Sequence, residues 1–116
     1  MKYIKQYEDE EIIIKDELKL YDYVICEDAW MKSQKEKGRE YLEVNNILEN
    51  NIGLYIQKDD ETYTIKYDAN IIPEHLIEYF SHNGPNTRNF YRIEIIHFSP
   101  NKEDLEAILS STKYNI

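Results

Sequence analysis

The side chains with the most chemical reach in this sequence are few and scattered. The soft metal ligands are Cys26, His75, His82 and His97, and no two of them stand at tight ligand spacing such as Cys-x-x-Cys or His-x-x-x-His. His75 and His82 would share a helix face only if a helix ran on past Phe80, which Gly84 and Pro85 oppose. A nucleophile needs a base and an orienting group beside it. Cys26 instead lies within an apolar run and reads as a small core hydrophobe, while the serines fall in loops or at helix ends without a surrounding signature. Carboxylates are abundant, 23 Asp and Glu in 116 residues, but none stands in an apolar setting that would raise its pKa for acid–base work. Three scattered glycines make no phosphate-cradling loop. The expectation is a protein that is not an enzyme, with no catalytic residue, no metal and no cofactor.

What the chain does have in quantity is acid and tyrosine. Its net charge is −9, and 11 of its residues are Tyr against 3 Phe and 1 Trp. Such a balance disfavours direct phosphate binding and suits a basic partner. Its plainer use is to keep a small domain soluble. Tyrosine supplies contact area with few rotatable bonds and a polar tip, which favours it at interfaces. The acids concentrate in clusters, so the candidate partner-binding residues are Glu8, Asp9, Glu10, Glu11, Glu27, Asp28, Asp59, Asp60 and Glu61, with Tyr63 beside them. A second use of tyrosine is base stacking by Tyr55, Tyr63, Tyr67 and Tyr91. The basic rim this needs is limited to residues 32–39 and the pair Arg88 and Arg92.

These residues have to be positioned by one domain, residues 1–116, because no Pro-, Gly- or Ser-rich linker divides the chain. A single cysteine permits no internal disulfide, and no apolar run follows the basic residues at the N-terminus, so a cytoplasmic location without a signal peptide is expected. The longest purely aliphatic stretch is Ile12–Ile14, far short of a membrane span. With little glycine and proline, turns must use Asn45-Asn46, Asn50-Asn51 and Asp59-Asp60. Residues 11–15 and 18–27 read as strands, the second with Leu20, Val24 and Cys26 on one face and Tyr21, Tyr23 and Ile25 on the other. Residues 28–40 read as a polar excursion with one helical turn, and 41–48 fit either a strand or a short helix. Residues 52–57 and 62–67 form a hairpin across Lys58–Glu61, and the second of them is the clearest alternation in the chain. Pro73 opens a short helix with Leu76, Ile77 and Phe80 on its buried stripe. Residues 81–89 read as a loop and Phe90–Phe98 as one strand. A helix over 102–111, capped by Asn101 or Ser99, buries Leu105, Ile108 and Leu109. The fold class is α+β: a small antiparallel sheet or SH3-like β-barrel of about five strands with two short helices, one of them C-terminal.

Three segments carry a resemblance. Asp22-Tyr23-Val24-Ile25-Cys26 resembles the first strand of an SH3-like barrel of the KOW or chromo type, which often follows a glycine; Tyr21 stands where that turn glycine would be. Asn51–Ile56 resembles the second strand, with Gly53 as the residue of close approach, and Tyr63–Tyr67 the third. The order and spacing also resemble small proteins encoded by phages and mobile elements. That resemblance and the acidic surface together imply an inhibitor of a basic nucleic-acid-handling enzyme, a nuclease or a DNA-binding regulator. It would imitate phosphate spacing, as in phage counter-defence of the anti-CRISPR or anti-restriction kind. The alternatives are an SH3-like module that binds nucleic acid or acts as a scaffold, and an immunity protein that neutralises a toxin nuclease.

Overall fold

A computed structural model describes residues 17–34 and 38–114. The expected strand at 11–15 and the acids Glu8, Asp9, Glu10 and Glu11 lie outside the described residues. The chain runs β1 (Tyr23–Cys26), α1 (Ala29–Ser33), α2 (Arg39–Asn50), β2 (Gly53–Asp59), β3 (Thr62–Lys66), a 3-10 segment (Glu74–Phe80), β4 (Thr87–Tyr91), a 3-10 turn (Arg92–Glu94), β5 (Ile95–Ser99) and α3 (Lys102–Tyr114). The five strands form one antiparallel sheet in the order β4-β3-β2-β1-β5. The fold is therefore α+β, a small five-stranded antiparallel sheet with a C-terminal helix. Among the described residues no helix is long and apolar enough to cross a membrane.

The connection from β4 to β5 dictates the sheet's shape. These strands are the two edges, so on a flat sheet four spacings of about 4.8 Å would hold them roughly 19 Å apart. The link between them is only Arg92–Glu94, one 3-10 turn that rises about 2 Å per residue. The sheet must therefore roll until its edges approach. Inside the roll, Val24, Cys26, Ile65, Tyr67 and Phe90 pack with Val44 and Leu48 of α2 and with Leu76 and Phe80.

Several local readings change. Residues 90–98 are not one strand: Glu94 turns inward, and its carboxylate accepts from the backbone N–H of Tyr91 and of Ala29, each at 2.9 Å. Residues 41–48 are helical, within a 12-residue helix that buries Val44, Asn45 and Leu48 at the spacing of one helix face. Asn45-Asn46 is accordingly helix interior rather than turn. Strand β1 is shorter than expected, because Lys19–Asp22 is a turn in which the Asp22 N–H donates to the Lys19 carbonyl at 2.9 Å. Tyr21, at its third position, has φ 72°, the left-handed conformation that favours glycine. Ile25 is buried along with Val24 and Cys26. In the 3-10 segment Leu76 and Phe80 are buried, but Ile77, expected on the same stripe, is exposed. The hairpin loop narrows to Asp60-Glu61, with Asp59 paired to Thr62. Helix α3 does bury Leu105, with Ile108 and Leu109 partly covered.

Candidate functional site

Two surface features collect the residues that chemistry singles out, and one buried cluster holds the supports of the second in place. The first feature is the β2–β3 tip. Asp59, Asp60 and Glu61 are all exposed there. Asp59 is partly committed, because it accepts from Gln57 Nε2 at 3.1 Å and from Asn83 Nδ2 at 3.2 Å. Tyr63 is half-buried behind the tip, edge-on to Tyr55 at 5.3 Å between ring centres, with Lys58 Nζ 5.1 Å from its own ring centre.

The other two candidate acids behave differently. Glu27 is half-buried and pairs with Lys32 at 2.8 Å, and Lys32 also reaches Glu49 at 3.1 Å. Asp28 is spent internally. One carboxylate oxygen caps α1 by accepting from the Met31 N–H at 2.8 Å, and the other pairs with Arg88. Arg88 is itself buried, and its guanidinium also donates to the Tyr79 carbonyl at 2.7 Å and lies 3.7 Å from Met31 Sδ. Asn45 of α2 completes the anchor by accepting from the Asp28 N–H at 2.9 Å. The cluster ties α1, α2, β4 and the 3-10 segment together.

What those tied elements carry outward is an aromatic row. Trp30 of α1 is 59% exposed. Its ring meets Tyr41 of α2 edge-on at 5.3 Å, and Tyr41 meets Tyr79 of the 3-10 segment at 6.4 Å. Glutamates border the row. The Tyr79 hydroxyl donates to Glu40 at 2.9 Å, and His75 lies 3.1 Å from Glu43. The bond to Glu40 is the main reason that the Tyr79 hydroxyl is pushed up to about 12. Residues 39–50 and 74–80 together hold Glu40, Glu43, Glu49, Glu74 and Glu78 against Arg39 as the one permanent cation. Sequence reasoning missed this row, although the chain's single Trp within a polar stretch was a signal for it.

The stacking tyrosines do not form a common surface. Tyr55 and Tyr67 are 5% and 2% exposed and belong to the core, which leaves Tyr91 exposed and Tyr63 half-buried. The basic rim is likewise diminished, because Arg88 is buried and Arg92 packs over the Phe98 ring at 4.9 Å. Cys26 is buried, and burial pushes its thiol far above the usual thiol range. Among the described residues no group of three or more His, Cys, Asp or Glu could hold a metal ion. An open cleft of about 590 Å³ touches Lys19, Asp22, Arg92, Phe98 and Ser99, and three of these make hydrogen bonds with neighbouring groups. Asp22 accepts from the Lys19 N–H, Arg92 donates to the Ile95 carbonyl, and Ser99 donates to Asp104.

His82 couples this architecture to pH. Its Nδ1 accepts from the Asn89 N–H at 3.1 Å, which requires that nitrogen to be unprotonated. Burial lowers its pKa, the Arg88 charge lowers it further, and Asp28 partly opposes. Because the folded value lies below the unfolded one, the unfolded chain takes up the proton first. The contribution to stability is present above about pH 6.5 and is lost as pH falls from there through the folded pKa. The urea midpoint of the native protein is expected to drop between about pH 7.5 and about pH 5.5 by more than that of His82→Gln. Equal drops would remove His82 from the account.

No protein-family model matches the chain, and no match is found among curated proteins or solved structures.

Proposed function

We propose that this protein is a non-enzymatic binding module that engages, and inhibits, a basic protein whose normal ligand is nucleic acid. The observation that carries the reading is the disposition of charge. Among the described residues the cations Lys32, Arg88 and Arg92 are held against partners within the chain. Asp59, Asp60 and Glu61 are exposed at the β2–β3 turn, where Lys58 is the cation beside them and donates to the Asp60 carbonyl at 2.7 Å. A surface of this kind repels phosphate and steers a basic groove toward it. The burial of Tyr55 and Tyr67 weighs against base stacking as the alternative. An SH3-like core belongs to the same proposal. It is supported by the rolled sheet, the strand order, the 3-10 turn between the edge strands and the close approach at Gly53. Counter-defence against a restriction or CRISPR nuclease is the setting that this reading implies.

The test is retention of host proteins and nucleic acid on the immobilised protein, washed with rising salt, followed by a cleavage assay on any nuclease recovered. A basic nucleic-acid enzyme that is released as salt rises, and whose activity the protein blocks, is the expected result. Reversing Asp60 and Glu61 to lysine is expected to weaken that capture at least tenfold. Direct retention of an oligonucleotide, with no such enzyme, would overturn the proposal in favour of a nucleic-acid-binding module.

A further inference from the structure

The acidic tip accounts for steering but offers little area to bury, and a stable contact needs rigid anchors that lose water on binding. The row Trp30, Tyr41 and Tyr79 offers such anchors: Trp30 is exposed, and Tyr41 and Tyr79 beside it are half-buried and packed against the core from behind. Its three members come from three different elements, yet they cannot drift independently. Asp28, two residues before Trp30, and the carbonyl of Tyr79 are held by the same Arg88 guanidinium. Asn45, four residues after Tyr41 on the same helix, holds the Asp28 backbone. The rings are thus preorganised before any partner arrives.

From this arrangement we infer that the Trp30–Tyr41–Tyr79 face is the docking surface for an arginine-bearing segment of the basic partner. The inference rests on the reading that the partner is basic. A guanidinium is planar and weakly hydrated, so it packs over an aromatic face while its N–H groups reach carboxylates beside the ring. Those carboxylates are present in Glu40, which touches the Tyr79 hydroxyl, and in Glu43 and Glu78 on the same two segments. Lysine matches this surface less well, because an ammonium is a compact, strongly hydrated charge without a flat face. The row therefore selects arginine over lysine, a discrimination that the bare acidic tip has no means to make.

Trp30 is the only tryptophan in the chain, so its emission reports on this face alone. The experiment titrates the whole protein with an octa-arginine and an octa-lysine peptide, following Trp30 emission and, separately, the anisotropy of labelled peptide. Octa-arginine is expected to bind at least tenfold more tightly than octa-lysine and to shift the emission. Trp30→Ala and Tyr41→Ala are each expected to weaken octa-arginine at least tenfold by anisotropy, with circular dichroism close to that of the native protein. The urea midpoint should stay close to native for the exposed Trp30 and fall for Tyr41, which packs partly on the core. If octa-arginine binds the two alanine variants as it binds the native protein, the docking face is wrong while the acidic-module reading stands. Should neither peptide bind at low salt, the basic-partner reading fails and takes the docking face with it. An emission that depends on the protein's own concentration before peptide is added would assign the face to a second copy, which also overturns the inference.

Discussion

Replacing Arg88 with alanine is expected to lower the unfolding free energy by about 3–5 kcal/mol, because truncating one member of a buried ion pair strands the other. Arg88 is 5% exposed along its side chain and Asp28 14%. The variant would leave the Asp28 carboxylate without its cation and the Tyr79 carbonyl without a donor. A domain of this kind has about 5–15 kcal/mol to lose, so the variant should be partly unfolded at modest temperature. The intact pair need not contribute that much, since the loss is mainly the cost of an unpaired buried charge. A second substitution separates the two ideas. Asp28→Asn keeps an oxygen to cap α1 but removes the charge, so Arg88→Ala combined with Asp28→Asn should recover a large part of the loss. Urea denaturation of the two single variants and the pair, at unchanged m-value, provides the measurement. A cost for Arg88→Ala below about 1 kcal/mol, the range of exposed ion pairs, would mean that the cluster is not the anchor described.

The same cluster marks the boundary of what local sequence reveals. Asp28 reads as one more acid in an acidic stretch, and its burial is decided by an arginine sixty residues later. The split of residues 90–98 is equally hidden. Phe90-Tyr91-Arg92-Ile93-Glu94-Ile95-Ile96 has the composition of one continuous strand, and the break comes from Glu94 accepting from Ala29, sixty-five residues away. Where the deciding interactions are local, the reading holds. The alternation of Thr62–Tyr67, the turn before it and the first-turn acids of α3 place those elements to within a few residues. Helix α2 falls between the two cases. Val44 and Leu48 are helically spaced, but Asn45-Asn46 and Asn50-Asn51 carry turn chemistry, and only Asn45's bonds to the Asp28 backbone explain an asparagine inside the helix. Tyr21 is a further case, a non-glycine residue in the left-handed backbone that a glycine would take freely, and no propensity of tyrosine announces it. The aromatic row was out of reach for the same physical reason as the ion pair: three elements build it, and no one of them contains the pattern.

Gly53→Ala is expected to destabilise by about 1–3 kcal/mol, the range for forcing an extra methyl into a packed core, and the sign of the effect is the informative part. Gly53 opens β2, pairs with Val24 and is buried. Its backbone is not in the left-handed region, so an alanine there would not be strained. In open space the substitution would stabilise by about 0.4–1 kcal/mol, through the unfolded chain's lost freedom. Space is what is missing. An added Cβ would stand 2.3 Å from Ile65 Cγ2 and 2.9 Å from Tyr67 Cε1. Neither neighbour is a flexible surface group. Ile65 is fully buried, and the Tyr67 ring is wedged edge-on against Phe80 at 5.6 Å. Relief would have to pass through Tyr67 into Phe80, the residue after Tyr79, so the clash should disturb the support of the aromatic row as well as the core. Ile65→Ala supplies the check. Alone it costs about 2–5 kcal/mol, but it removes the very methyl that the added Cβ would strike, so the double variant should be more stable than the sum of the two losses by about 1 kcal/mol or more. Strict additivity, or a stabilised single variant, would show that Ile65 and Tyr67 give way freely and that close packing does not require glycine at this position.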